Sequence, residues 1–160
     1  METQNIETTS ILTPIGLLWI SCMNNAITHI YKSIQETSIS DKTNNPLLIE
    51  ATKQLQAYFD GKLKQFDLPL YYDYVSEYTD KVLNIIRNTK YGETYSYQTI
   101  ADISNYSKRF RTVARICSHN PIPIIIPCHR IIRNNNEIGR YMFGTEAKKI
   151  LIDLEQKNSK

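Results

Sequence analysis

Three of the chain's six prolines, Pro121, Pro123 and Pro127, fall within seven residues, and isoleucine fills most of the space between them. Proline removes a backbone donor and restricts both its own φ and the residue before it, so no helix runs through this stretch. The segment Asn120-Pro-Ile-Pro-Ile-Ile-Ile-Pro is therefore expected to be extended, with Ile124, Ile125 and Ile126 as a buried strand-like run. It ends on Cys128-His129-Arg130. An apolar run that delivers a thiol beside an imidazole and a guanidinium is unlike a structural cysteine packed among apolar neighbours. Cationic neighbours lower a thiol pKa, so Cys128 reads as a thiolate nucleophile.

The flanking sequence orders the remaining elements. Residues 11–20, the turn pair Asn24-Asn25 and residues 26–31 predict a β-hairpin. Asn45 offers an N-cap and Pro46 a first helical position, and Leu47, Leu48, Ala51, Leu55, Tyr58 and Phe59 recur at helical spacing until Gly61. Lys62 to Leu68 alternates and predicts a returning strand. Past residue 70 the pattern turns helical. One helix spans Tyr78 to Arg87, a second runs from a Ser96 cap to Ser104, and a third runs from a Ser107 cap to about Ser118. The last two, separated by Asn-Tyr-Ser, make a helix-turn-helix pattern. Asn134-Asn135-Asn136 and Gly139 mark a loop, and Ala147, Ile150, Leu151 and Leu154 predict an amphipathic closing helix with Glu155 near its end. The fold class is α+β: an N-terminal α/β domain over residues 1–70 and a C-terminal helical domain over residues 71–160.

Charge separates the same halves. Residues 1–70 carry a net −2 and residues 71–160 a net +5, and Lys108, Arg109, Arg111, Arg115, Arg130, Arg133 and Arg140 share their stretch with one acid, Glu137. A polyanion such as nucleic acid is the implied partner. No apolar run reaches the length of a membrane span, and the first ten residues are polar and acidic. The expectation is a cytoplasmic protein with no membrane contact. Three widely spaced cysteines suggest neither a disulfide framework nor a zinc finger. Cys22 and His29 alone do not make a metal site, so no metal and no cofactor are expected.

Asn120-Pro-Ile-Pro-Ile-Ile-Ile-Pro-Cys-His-Arg-Ile-Ile resembles the active-site signature of the O6-alkylguanine-DNA alkyltransferases. Tyr91-Gly-Glu-Thr-Tyr-Ser-Tyr resembles that family's entry to its helix-turn-helix, and Gly139-Arg-Tyr141 with Gly144 its substrate loop. The resemblance implies an RNase H-like N-terminal domain and a winged-helix-like C-terminal domain. It implies single-turnover transfer of an alkyl group from guanine O6 in double-stranded DNA to Cys128, by a monomer, with O4-methylthymine as a further candidate substrate. His129 would take the thiol proton through a water, Glu155 would orient His129, and Tyr97 would donate to the leaving guanine. Arg111 aligns with the residue that fills the gap left by the flipped base. Tyr97, Gln98, Tyr106 and Asn134 fall where the family contacts the DNA backbone, and Arg115 stands where a glycine is common, as a phosphate contact. Asn120 aligns with a hinge that braces turns, and Tyr141 with a pocket residue. Met142 and Phe143 replace small residues there, which predicts good activity on methyl and poor activity on benzyl adducts.

Two other functions remain to be weighed on sequence. A DNA-binding module without chemistry would not need Cys128. A cysteine hydrolase would need an oxyanion turn before the cysteine, and no Gly-rich segment stands there.

Overall fold

A computed structural model describes residues 5–32, 42–73 and 75–160. The polar composition of residues 33–45 predicts a loop, and most of that segment lies outside the described residues. The chain divides into two compact units, Met1–Asp73 and Tyr74–Lys160.

The first unit opens with an antiparallel sheet in the order β1 (Glu7–Thr13), β2 (Gly16–Met23) and β3 (Ala26–Lys32). The run over residues 11–20 is two strands, because Pro14-Ile15 turns the chain between Thr13 and Gly16. The Asn24-Asn25 turn has both residues at positive φ, 51° and 62°, a conformation asparagine tolerates well. Helix α1 (Pro46–Phe59) starts as its sequence dictates: Asn45 Oδ1 accepts from the N–H groups of Leu47 and Leu48, and proline stands where no donor is needed. Its buried stripe is Leu48, Ala51, Leu55, Tyr58 and Phe59, which packs with Leu18, Ile20 and Ile27 in the core of this unit.

The expected strand over Lys62–Leu68 does not form. Gln54 holds this segment from the side, accepting from the Asp67 N–H at 2.9 Å and donating to its carbonyl at 3.1 Å. Further on, Leu70 bridges in parallel to Ile27, whose N–H donates to the Pro69 carbonyl and whose carbonyl accepts from the Tyr71 N–H.

In the second unit, α2 (Glu77–Arg87) is capped by Ser76, and α3 (Tyr97–Ile103) by Ser96. The two-residue strand β4 (Tyr95–Ser96) pairs in parallel with β5 (Ile131–Ile132). Ser107 does not cap the next helix. It begins a 3-10 turn, Ser107–Arg109, that leads into α4 (Phe110–Ser118), and its carbonyl accepts from Gln98 Nε2 at 2.6 Å. The chain closes with α5 (Thr145–Asn158), whose buried positions are Ala147, Lys148, Leu151, Ile152 and Glu155. No described helix is long and apolar enough to cross a membrane.

Candidate active site

The proline-isoleucine segment is buried as expected but is not a strand. Ile124 stands at φ 75°, and Ile126 donates back to the Ile122 carbonyl at 2.9 Å, so the chain folds into a tight loop and enters a 3-10 turn at Cys128–Arg130. Positive φ is costly for a β-branched residue, and burial of Ile122, Ile124, Ile125 and Ile126 holds the loop in that shape. Asn120 supplies the bonds a sheet partner would have made. Its Oδ1 accepts from the Ile122 N–H at 3.0 Å, and its Nδ2 donates to the Ile126 carbonyl at 2.8 Å and to Cys128 Sγ at 3.1 Å.

Cys128 is 2% exposed, and burial pushes its thiol up to about 11, against the opposing pull of the Asn120 bond and the Lys148 charge. This corrects the expectation of a resting thiolate. Arg130 does not face the sulfur: its guanidinium bonds both oxygens of Glu155, at 2.9 and 3.0 Å, and the Thr89 carbonyl at 2.6 Å.

Glu155 gathers this side of the site. Its Oε1 lies 2.7 Å from His129 Nε2, and its Oε2 accepts from the Gly92 N–H at 3.1 Å. Burial raises the carboxyl, but the bonds from His129 and Arg130 outweigh it and hold the pKa at about 2. A carboxylate only accepts, so Nε2 carries the hydrogen and Nδ1 is the basic nitrogen. Burial lowers the His129 pKa further than the carboxylate raises it, which keeps the ring neutral and able to take a proton.

A cavity of about 490 Å³ opens beside the sulfur, lined among others by Tyr97, Arg115, Cys128, Tyr141 and Met142. The Tyr97 phenol is pushed up to about 12, chiefly by burial and then by the two thiols near it. Tyr141 Oη is buried without a hydrogen-bond partner among the described residues, and its ring meets His129 edge-on at 6.4 Å. Met142 forms part of the wall. Phe143 does not, and packs edge-on against Tyr141 at 5.6 Å.

The other sequence-selected residues lie outside this cavity. Arg111 is exposed, with its guanidinium 5.6 Å from the Phe110 ring centroid. Gln98 and Asn134 meet each other, Asn134 Oδ1 accepting from the Gln98 N–H at 3.0 Å. Tyr106 is half exposed and meets Tyr78 edge-on, and the two rings flank the Arg109 guanidinium at 4.8 and 4.7 Å.

Two residues were missed on sequence. Lys148 is 1% exposed, and its Nζ donates to the carbonyls of Ile131 at 2.6 Å and Arg140 at 3.3 Å. Its pKa falls to about 8 by burial, although both nearby thiols pull it up. The signal was a lysine on the same helical stripe as Leu151 and Glu155. Cys117 lines the cavity as a second thiol, and its place one turn after Val113 on an apolar stripe was the clue. Among the described residues no group of three or more His, Cys, Asp or Glu side chains is placed to hold a metal ion.

A family described as 6-O-methylguanine DNA methyltransferase matches along most of the chain, through its ribonuclease-like domain over residues 6–72 and its DNA binding domain over residues 77–157. The chain belongs to this family. It is 35% identical over 157 residues to the methylated-DNA--protein-cysteine methyltransferase of Mycolicibacterium paratuberculosis, covering 96% of this chain and 94% of that protein. The constitutive methylated-DNA--protein-cysteine methyltransferase of Bacillus subtilis is 33% identical over 152 residues, covering 90% and 92%. The crystal structure of Mycobacterium tuberculosis OGT in complex with DNA matches with a TM-score of 0.85 at 31% identity, covering 94% of this chain and 93% of that one. An O6-methylguanine-DNA methyltransferase from Pyrococcus kodakaraensis, at 19% identity and a TM-score of 0.58, shares the fold.

Proposed function

We propose that this chain repairs DNA by direct, stoichiometric transfer of a methyl or other alkyl group from guanine O6 to Cys128. The observation that carries the reading is a buried thiol, bonded by Asn120, opening on a cavity that Tyr97 also lines. Membership of the alkyltransferase family supplies the substrate class.

Displacement at a methyl carbon needs a soft nucleophile, and a thiolate is the best available side chain. Burial raises the Cys128 pKa to about 11 and so disfavours the anion at pH 7. Deprotonation therefore accompanies substrate binding. The thiol proton passes to His129 Nδ1, directly or through a water, and Glu155 balances the imidazolium so formed. Sulfur then bonds the alkyl carbon, the carbon–O6 bond breaks, and its electron pair moves onto the purine. Tyr97 donates a hydrogen bond to the base as it gains charge. The thioether has no leaving step, so the protein reacts once.

A duplex hides the target, and extruding it costs a few kcal/mol. Arg111, exposed on α4, fills the vacated stack. Arg115, Tyr106, Gln98 and Asn134 contact the backbone of the duplex around it. Tyr141 and Met142 shape the base pocket, with Phe143 behind Tyr141. The chemistry belongs to residues 71–160, and the protein works as a monomer in the cytoplasm.

Incubation with a duplex carrying O6-methylguanine, followed by intact-protein and peptide mass spectrometry, tests this. A gain of one methyl on Cys128, once per molecule, is expected. Binding without modification, or catalytic turnover, overturns it.

A further inference from the structure

Gly139 stands at φ 78°, and a Cβ placed there would lie 3.2 Å from Arg133 Cγ, 3.5 Å from Arg133 Nε and 3.7 Å from Tyr97 Oη. The Arg133 side chain and the Tyr97 hydroxyl thus converge on one point, and only a residue without a side chain leaves that point open. Both also line the cavity that holds Cys128.

We propose that Arg133 is a positioning residue for the leaving base: its guanidinium, laid over Gly139 beside the Tyr97 hydroxyl, stabilises the negative charge that passes to the purine when the carbon–O6 bond breaks. This rests on alkyl transfer to Cys128 and adds a charged partner to it. As sulfur bonds carbon, the electron pair of the carbon–O6 bond moves onto the base, to which Tyr97 donates a hydrogen bond; solvent then supplies the proton that neutralises the base, and His129 returns the thiol proton to solvent. A phenol that burial pushes up to about 12 is a poor donor. Arg133 is the group that acts on Tyr97 in the opposite sense.

The local chain holds Arg133 for this task. Its N–H donates to the Glu137 carbonyl at 2.9 Å, its carbonyl accepts from the Asn136 N–H at 3.0 Å, and Nη1 lies 3.3 Å from Glu137 Oε2. Lys148 also lies near Tyr97, but its Nζ lies 5.9 Å from the ring centroid and already donates to two carbonyls.

The test varies the acidity of the leaving base. Single-turnover transfer is measured for the wild-type protein, Arg133→Gln and Arg133→Lys on duplexes carrying O6-methylguanine or O6-methyl-8-azaguanine, whose base is a stronger acid. The Arg133 side chain is 52% exposed, so both variants fold, and its charge is worth less than a buried oxyanion donor. R133Q is expected to slow methylguanine repair about tenfold and azaguanine repair about threefold or less, with duplex Kd changed less than about threefold. R133K restores most of the rate, and Gly139→Ala reproduces the R133Q pattern. Equal slowing on both bases, or a loss confined to Kd as for a phosphate contact, overturns the assignment. Absence of any transfer by the wild-type protein overturns instead the reading on which it rests.

Discussion

Glu155 and Arg130 meet through two hydrogen bonds, 2.9 and 3.0 Å long, while the same carboxylate holds His129 at 2.7 Å. One acid near the end of α5 therefore fixes both side chains that follow the nucleophile. Removing one partner of a buried ion pair leaves the other charge unmatched, typically at a cost of about 3 to 5 kcal/mol. Glu155→Gln is expected to lose about that much in denaturant unfolding and to slow transfer strongly.

The same carboxyl gives the fold an acid limit. Its pKa is depressed from 4.5 to about 2, so its contribution is complete above pH 4.5 and disappears as pH falls through about 2. Unfolding midpoints measured from pH 6 to pH 2 should fall across that window in the wild-type protein. The fall should be shallower in E155Q.

Lys148 runs in the opposite sense. Its folded pKa of about 8 lies below the ordinary 10.5, so the folded state binds fewer protons than the unfolded chain between those values. Its penalty is full below pH 8 and is relieved as pH rises towards 10.5. Lys148→Met removes the penalty along with two backbone bonds and a cation near Cys128. Transfer should fall about tenfold with duplex affinity nearly unchanged, and the rise in stability between pH 8 and 10 should vanish. Single-turnover kinetics and pH-resolved thermal melts read both.

Met142 lines the cavity and Phe143 stands behind Tyr141. Trimming the wall should matter more for large adducts than for small ones. Met142→Gly is expected to raise transfer from O6-benzylguanine about tenfold and to change O6-methylguanine transfer less than about threefold, since methyl already fits. A gel-resolved competition between the two substrates checks it.

Several local features were legible because local chemistry leaves few alternatives. Asn45-Pro46 starts a helix wherever an apolar stripe follows, and Cys128-His129 after an isoleucine run singled out the thiol that the structure sets against a cavity. What failed depended on distant partners. Ile124–Ile126 reads as a strand by composition, yet the side chain of Asn120 takes the bonds of a neighbouring strand and lets the loop curl. Lys62–Leu68 alternates like a strand, yet Gln54 holds it off the sheet. A resting thiolate follows if Arg130 faces Cys128, but the guanidinium is bound by Glu155, 25 residues later in sequence. Lys148 escaped because a lysine on an amphipathic helix is ordinarily solvated.

The depth at which Cys128 lies, 2% exposed and with a pKa that burial raises, bears on how long the protein stays useful in a cell. A reagent that works once is wasted by any stray electrophile it meets first. Burial of the sulfur and its raised pKa both slow attack on small alkyl halides, quinones and peroxides, so the single dose is kept for the lesion that assembles its own activation.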